Sequence, residues 1–266
     1  MLSNFHTHSV FCDGDNTLAE IVLASVEKGF SAIGFSGHGY TDYDLRYCMK
    51  NTDGYISEIK NLKEKYKDKI EVYLGIEEDA FCPVNRKDFD YIIGSSHYFN
   101  VEGKYYPIDS SPDYFKEGLK VFEGDTIALA ESYYSKFCDY ILKRKPDIIG
   151  HFDLITKFDE MEKSLFLEDK RYNEIAEKYV KVALKADCIF EVNTGAISRG
   201  YRTTPYPNEN LLYIIKKEGG RLILSSDSHS IDTLDFGFED AEKQLKNIGF
   251  DAVYTLKNGE FVKTYI

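Results

Sequence analysis

Short apolar runs alternate with amphipathic stretches along the whole chain, which is the pattern of βαβ units. Ser3–Phe5 reads as a first strand. Thr17-x-x-Glu20 is a capping box that opens a helix with Leu18, Ile21, Val22 and Val26 on one face and Gly29 after it. Ala32–Phe35 is a second strand, Ile56, Ile59, Leu62 and Tyr66 mark the next helix, and Glu71–Leu74 and Tyr91–Ile93 are further strands. Tyr98–Asp113 carries Gly, Pro, Asn and Asp and reads as a long loop, a candidate lid. A helix over Thr126–Lys143 precedes strand Asp147–Ile149, and Tyr172, Ile175, Ala176, Tyr179, Val180 and Ala183 define a helix before strand Cys188–Val192. Arg221–Leu224 is a strand, and Asn258-Gly259 marks a closing hairpin. About seven β/α pairs result, with no linker or repeat, so residues 1–266 are expected to form one α/β domain closed as a parallel barrel.

Composition narrows the function. The net charge of −12 argues against nucleic acid and against an anionic membrane surface. The five cysteines are scattered, with no Cys-x-x-Cys pair, so a disulfide framework or cysteine zinc site is not expected and a reducing cytoplasm fits best. The opening residues show no signal peptide, and no apolar run approaches membrane-spanning length.

The chemistry lies in the histidines. All six fall at or just after strand candidates: His6 and His8 after the first, then His38, His97, His151 and His229. In a parallel barrel these positions share one rim. Residues two apart in an extended segment project together, so His6 with His8, and Asp227 with His229, can each reach one ion. Glu77 follows a strand candidate in the same way, whereas Glu78 and Asp79 are expected to be solvated or to support ligands. Asp13 and Asp15 flank Gly14, and either could be a ligand or a charge at the helix start. Six imidazoles and about three carboxylates exceed one ion's needs, so two or three divalent transition-metal ions (zinc, iron or manganese) are implied.

The ordered set His6-Thr-His8, Gly37-His38, Gly75-Ile-Glu77, Ser96-His97, Gly150-His151-Phe-Asp153 and Ser226-Asp227-Ser-His229 resembles the PHP (polymerase and histidinol phosphatase) superfamily, most closely its stand-alone histidinol-phosphate phosphatases. The resemblance implies a distorted (β/α)7 barrel with a trinuclear site at the C-terminal rim of the strands. His6, His8, Glu77 and Asp227 would hold the first ion, Glu77 with His97 and His151 the second, and Asp13, His38 and His229 the third. The chain departs from many members in having aspartate at Asp13, where they place a histidine, and Gly37 where others have aspartate.

The implied activity is metal-dependent hydrolysis of a phosphomonoester, L-histidinol phosphate to L-histidinol and phosphate in histidine biosynthesis, by attack of a metal-bridging hydroxide. Three divalent ions against three carboxylates leave a local charge of about +3, which reconciles the acidic chain with an anionic substrate. Arg199 first and Arg202 second are the expected phosphate partners. Asp153, two beyond His151, is the leaving-group acid, a contact for a cationic substrate head, or a carboxylate orienting a ligand ring. Alternatives are a phosphatase of a phosphotyrosine peptide or nucleotide, a C–N hydrolase, or a non-catalytic metal-binding module.

Overall fold

The computed structural model describes residues 2–161 and 165–266. Its strands are β1 (Ser3–Asn4), β2 (Ala32–Phe35), β3 (Glu71–Asp79), β4 (Tyr91–Ser95), β5 (Tyr98–Val101), β6 (Lys104–Pro107), β7 (Ile148–Ile149), β8 (Ile189–Asn193), β9 (Arg221–Ser225), β10 (Ala252–Lys257) and β11 (Glu260–Tyr265). Its helices are α1 (Leu18–Glu27), α2 (Thr52–Tyr66), α3 (Pro112–Lys120), α4 (Thr126–Arg144), α5 (Lys170–Ala183), α6 (Gly195–Ser198), α7 (Glu209–Lys217) and α8 (Phe238–Ile248).

One nine-stranded sheet runs β1-β2-β3-β4-β7-β8-β9-β10-β11, parallel as far as β10 and antiparallel at its last pair. The sheet curls until the segments just beyond β1 and β9 meet at the carboxyl rim. There the His8 N–H donates to the Ser228 carbonyl at 2.8 Å and the Ser228 N–H to the His6 carbonyl at 3.1 Å. At the opposite end β10 lies beside β9 through Tyr254–Ile223, and Ser3 Oγ meets Thr255 Oγ1 at 2.9 Å. The result is an α/β barrel closed at one rim and splayed at the other, the distorted barrel expected.

The interior is filled by Phe5, Tyr73, Tyr91, Ile93, Ile148, Ile189 and Ile223. Tyr91 laces the layer: its hydroxyl donates to the Phe5 carbonyl at 2.6 Å and lies 3.2 Å from the Phe35 carbonyl. A β-carbon on Gly75 would collide with the Tyr91 ring, so only glycine admits it there. Helices cover the outer face with regular apolar stripes, such as Leu18, Ile21 and Val22 of α1 and Tyr172, Ala176, Val180 and Ala183 of α5. The capping box forms as read, with Glu20 N–H donating to Thr17 Oγ1 and Thr17 N–H to Glu20 Oε2.

The structure differs from the sequence reading in two places. Tyr98–Asp113 is the hairpin β5–β6 followed by the start of α3, instead of an irregular loop. β3 extends to Asp79, so Glu77 sits within a strand and not after one. α6, α7 and α8 fill the helical places that the count of about seven β/α pairs implies but to which no residues are assigned from the sequence. No helix among the described residues is long and apolar enough to cross a membrane.

Candidate metal centre

All six histidine rings meet at the closed rim. Ring centroids are 5.2 Å apart for His6–His8, 4.5 Å for His8–His38, 4.1 Å for His8–His229, and 5.0 Å for both His38–His97 and His97–His151. Glu77 stands in their midst, buried, because alternation along β3 turns it inward. Its Oε1 lies 2.9 Å from His151 Nε2 and 3.3 Å from His97 Nε2; its Oε2 lies 3.3 Å from His6 Nε2 and 2.9 Å from His38 Nδ1. Asp227 Oδ1 lies 3.1 Å from His8 Nε2 and 3.7 Å from His6 Nε2.

Asp227 owes its aim to a left-handed backbone, φ +48°, imposed where β9 ends and Ser228 pairs across the barrel seam. Its other oxygen is held by Arg199 Nη2 at 3.0 Å. A β-carbon on Gly195 would stand 2.8 Å from Asp227 Cβ and 3.0 Å from Arg199 Nη2, so this contact also requires a glycine.

Asp13 is brought into the cluster, 3.5 Å from His8 Nδ1, 3.5 Å from His38 Nε2 and 3.4 Å from His229 Nε2. Asp15 belongs to none of the ligand groups among the described residues. Burial works against the charge on Asp13, but the rings of His38, His229 and His8 outweigh it and hold the carboxyl far below its ordinary range.

The donor set fits divalent ions. Two ligand atoms on a tetrahedral ion at about 2.1 Å lie about 3.4 Å apart, and the carboxylate–imidazole separations at Asp13, 3.4 to 3.5 Å, fall there. His6 Nε2, His8 Nε2 and Glu77 Oε2 are buried with no hydrogen-bond partner, the state of lone pairs directed at a cation. The groups His6–His8–Asp227, His6–Glu77–His151, His38–Glu77–His97 and His8–Asp13–His38–His229 could each hold an ion. His8 and His38 each stand between two of the sets drawn from the resemblance, His8 with Nε2 toward Asp227 and Nδ1 toward Asp13, His38 with Nδ1 toward Glu77 and Nε2 toward Asp13.

The cluster floors a pocket of about 380 Å³. Arg199 lines it, its Nη1 donating to the Asp227 carbonyl at 3.0 Å. Arg202 does not, and its expected phosphate contact is corrected. It is buried, bonded to Thr156 Oγ1 and Thr204 Oγ1, and set 4.4 Å over the Tyr206 ring. Asp153 is corrected too. The chain enters a 3-10 turn at Leu154–Thr156, so Asp153 does not continue the extended run from His151. Asp153 Oδ2 instead accepts from the backbone N–H and Nδ2 of Asn208, both at 2.9 Å, and lies 4.0 Å from Arg202.

The sequence reading missed Glu191. Its Oε1 lies 2.5 Å from His6 Nδ1, and its Oε2 accepts from the His151 N–H at 2.9 Å and Asn193 Nδ2 at 3.0 Å. Ile189 faces the barrel interior, and strand alternation puts Glu191 on that face, so the signal was present. It also missed Lys157, Asp109, Asp44 and Tyr47 in the pocket wall. Lys157 Nζ donates to the Asp109 carbonyl at 2.8 Å and lies 3.5 Å from its carboxylate. Burial opposes the Asp109 charge, but Lys157, His97 and His151 outweigh it and keep Asp109 ionised.

Residues 4–195 match the PHP domain family, and the chain belongs to it. It is 24% identical to the Bacillus subtilis histidinol-phosphatase over 88% of this chain and 96% of that one. A Schizosaccharomyces pombe relative bearing the name "Probable histidinol-phosphatase" is 29% identical, covering 96% of this chain and 89% of the relative. The fold matches the crystal structure of a Lactococcus lactis histidinol phosphate phosphatase, complexed with zinc, L-histidinol and phosphate, with a TM-score of 0.73 and 20% identity over 98% of each chain.

Proposed function

We propose that this chain is a single metal-dependent phosphoesterase domain that hydrolyses L-histidinol phosphate to L-histidinol and phosphate in histidine biosynthesis. The observation that carries this reading is the convergence of six imidazoles with Glu77, Asp13 and Asp227 on the floor of a pocket walled by Arg199 and Lys157. Relatives along most of the chain carry the name histidinol-phosphatase, which supports the substrate. Five free cysteines fit a cytoplasmic enzyme.

His6, His8, Glu77 and Asp227 would hold one ion, Glu77 with His97 and His151 a second, and Asp13, His38 and His229 a third. Divalent ions held there supply Lewis acidity, which acidifies water and draws charge from phosphoryl oxygens. The protein's own groups do the rest. Glu191 fixes the His6 ring through Nδ1, leaving Nε2 facing the cluster. Arg199 and Lys157 place cations where the equatorial phosphoryl oxygens gather charge. Asp109, ionised, suits the ammonium group of an amino-alcohol ester.

The test is a panel of phosphomonoesters given to the metal-loaded protein. L-Histidinol phosphate should exceed a phosphotyrosine peptide and a nucleoside monophosphate in kcat/KM by orders of magnitude. Equal turnover of all three overturns the substrate, and no turnover of any overturns the activity.

A further inference from the structure

Asp79 is buried at the end of β3, two residues beyond Glu77, and lies outside every candidate ligand group among the described residues. One of its oxygens serves His97: Oδ2 accepts from the His97 backbone N–H at 3.3 Å and lies 3.5 Å from His97 Nδ1. The opposite nitrogen of that ring, Nε2, faces Glu77 at 3.3 Å. The other oxygen is held from outside the cluster. Oδ1 accepts from the Tyr43 hydroxyl at 2.6 Å and the Phe81 N–H at 3.0 Å. The Tyr43 ring lies flat on Tyr105, with centroids 3.9 Å apart at 11°, and Phe81 meets the same ring edge-on at 5.4 Å.

Tyr105 belongs to β6 of the hairpin. That hairpin starts at Tyr98, directly after His97, and leads out to Asp109 and Ser110 in the pocket wall. The segment that carries Tyr43 also supplies Asp44, Arg46 and Tyr47 to the same wall, and the Tyr98 hydroxyl donates to Asp44 Oδ2 at 2.6 Å. The two wall segments are thus clasped through tyrosines, and the clasp ends on the carboxylate behind His97.

We propose that Asp79 is a positioning residue for His97, and that Tyr43 and Tyr105 couple its grip to the seating of the β5–β6 hairpin. Closing the pocket wall and completing the ion site are then one structural event. A neutral imidazole carries one N–H. A carboxylate beside Nδ1 favours the proton there and leaves the Nε2 lone pair for the ion. The Tyr43 hydroxyl keeps the carboxylate from turning away, and the Tyr105 stack fixes Tyr43. The inference rests on the metal-site reading above.

The test measures cobalt(II) affinity by competition with a chromophoric chelator, together with the visible spectrum of the bound cobalt, in the parent, Asp79→Asn, Tyr43→Phe, Tyr105→Ala and Lys104→Ala. Thermal melts confirm folding. Asp79→Asn should weaken binding about 10- to 100-fold. Tyr43→Phe should weaken it roughly 2- to 10-fold, the worth of one hydrogen bond. Tyr105→Ala should also weaken it and alter the cobalt spectrum, although its ring contacts are only Tyr43 and Phe81 among the described residues. Lys104→Ala, exposed on the same hairpin, should leave affinity unchanged. If Asp79→Asn does not fold, Tyr43→Phe and Tyr105→Ala carry the test. Parent-like affinity and spectrum in those two overturn the coupling, even if Asp79→Asn is impaired. A parent that takes up no divalent ion overturns the metal reading and this inference with it; a parent that binds ions and hydrolyses the ester, matched by its variants, overturns this inference alone.

Discussion

Two arginines three residues apart take opposite fates, and the difference separates function from stability. Arg199 borders the pocket and grips Asp227; Arg202 is sealed inside against Thr156, Tyr206 and Asp153. Spacing alone does not distinguish them, because both follow the same strand in the sequence. Removing the Arg199 fork deletes charge-assisted hydrogen bonds, worth about 1.5–3 kcal/mol each. Arg199→Ala should therefore lower kcat/KM by at least about tenfold and, because the same fork grips Asp227, also cost about 1.5–3 kcal/mol in urea unfolding, the loss of phosphate binding being what sets it apart from Arg202. Arg202→Met leaves Asp153 buried without its cation and should cost roughly 3–5 kcal/mol of unfolding free energy. A stable Arg202→Met protein with impaired phosphate binding would reverse the two assignments. Glu191→Gln tests the support behind His6: ion affinity should fall about 10- to 100-fold in a chelator competition, with the KM of the loaded enzyme little changed.

At the level of elements, the strands were legible because short apolar runs end at the same rim. Turn chemistry decided the hairpins. Asn258-Gly259, φ +51° and +79°, announced the β10–β11 hairpin through a preferred residue pair. Glu102-Gly103 takes the same left-handed geometry, φ +52° and +84°, but glutamate gives no such signal, so β5–β6 read as a loop. Glu77 was found for a reason that needed correction: its strand passes through it and carries on to Asp79. That extension is what makes Asp79 inward and buried, instead of solvated. Elements also depend on one interior hydroxyl. The Tyr91 phenol from β4 reaches the Phe5 carbonyl just beyond β1 and the Phe35 carbonyl of β2. Tyr91→Phe leaves a buried acceptor unpaired and should cost about 1–3 kcal/mol in a urea melt; a neutral substitution would mean that the barrel layer does not rely on this tie.

Across the whole molecule, a net charge of −12 coexists with a site whose rings compete for protons and cations. Burial opposes protonation of His6, His38 and His97. At His6 the carboxylates of Glu191, Glu77 and Asp227 outweigh it, at His38 those of Asp13 and Glu77, and at His97 those of Glu77 and Asp79. All three pKa values rise, that of His38 to about 10. In the ion-free protein such a raised value stabilises the fold fully below the unfolded-state pKa of about 6.5, and that contribution is lost as pH climbs through about 10. Ions need the same rings neutral, so proton and ion binding oppose each other. The stabilisation that ions add must therefore grow with pH across this window. At a free concentration of about 100 times Kd it amounts to about 2.7 kcal/mol, or roughly 5–10 °C in Tm at about 2–4 °C per kcal/mol. Thermal melts with and without a chelator, from about pH 6 to about pH 9, measure it directly. The gap between the curves should widen toward alkaline pH and close when the ion is restored to the chelated sample. A gap that stays constant, or that widens toward acid, would mean that the histidines at the rim are not where the ions bind.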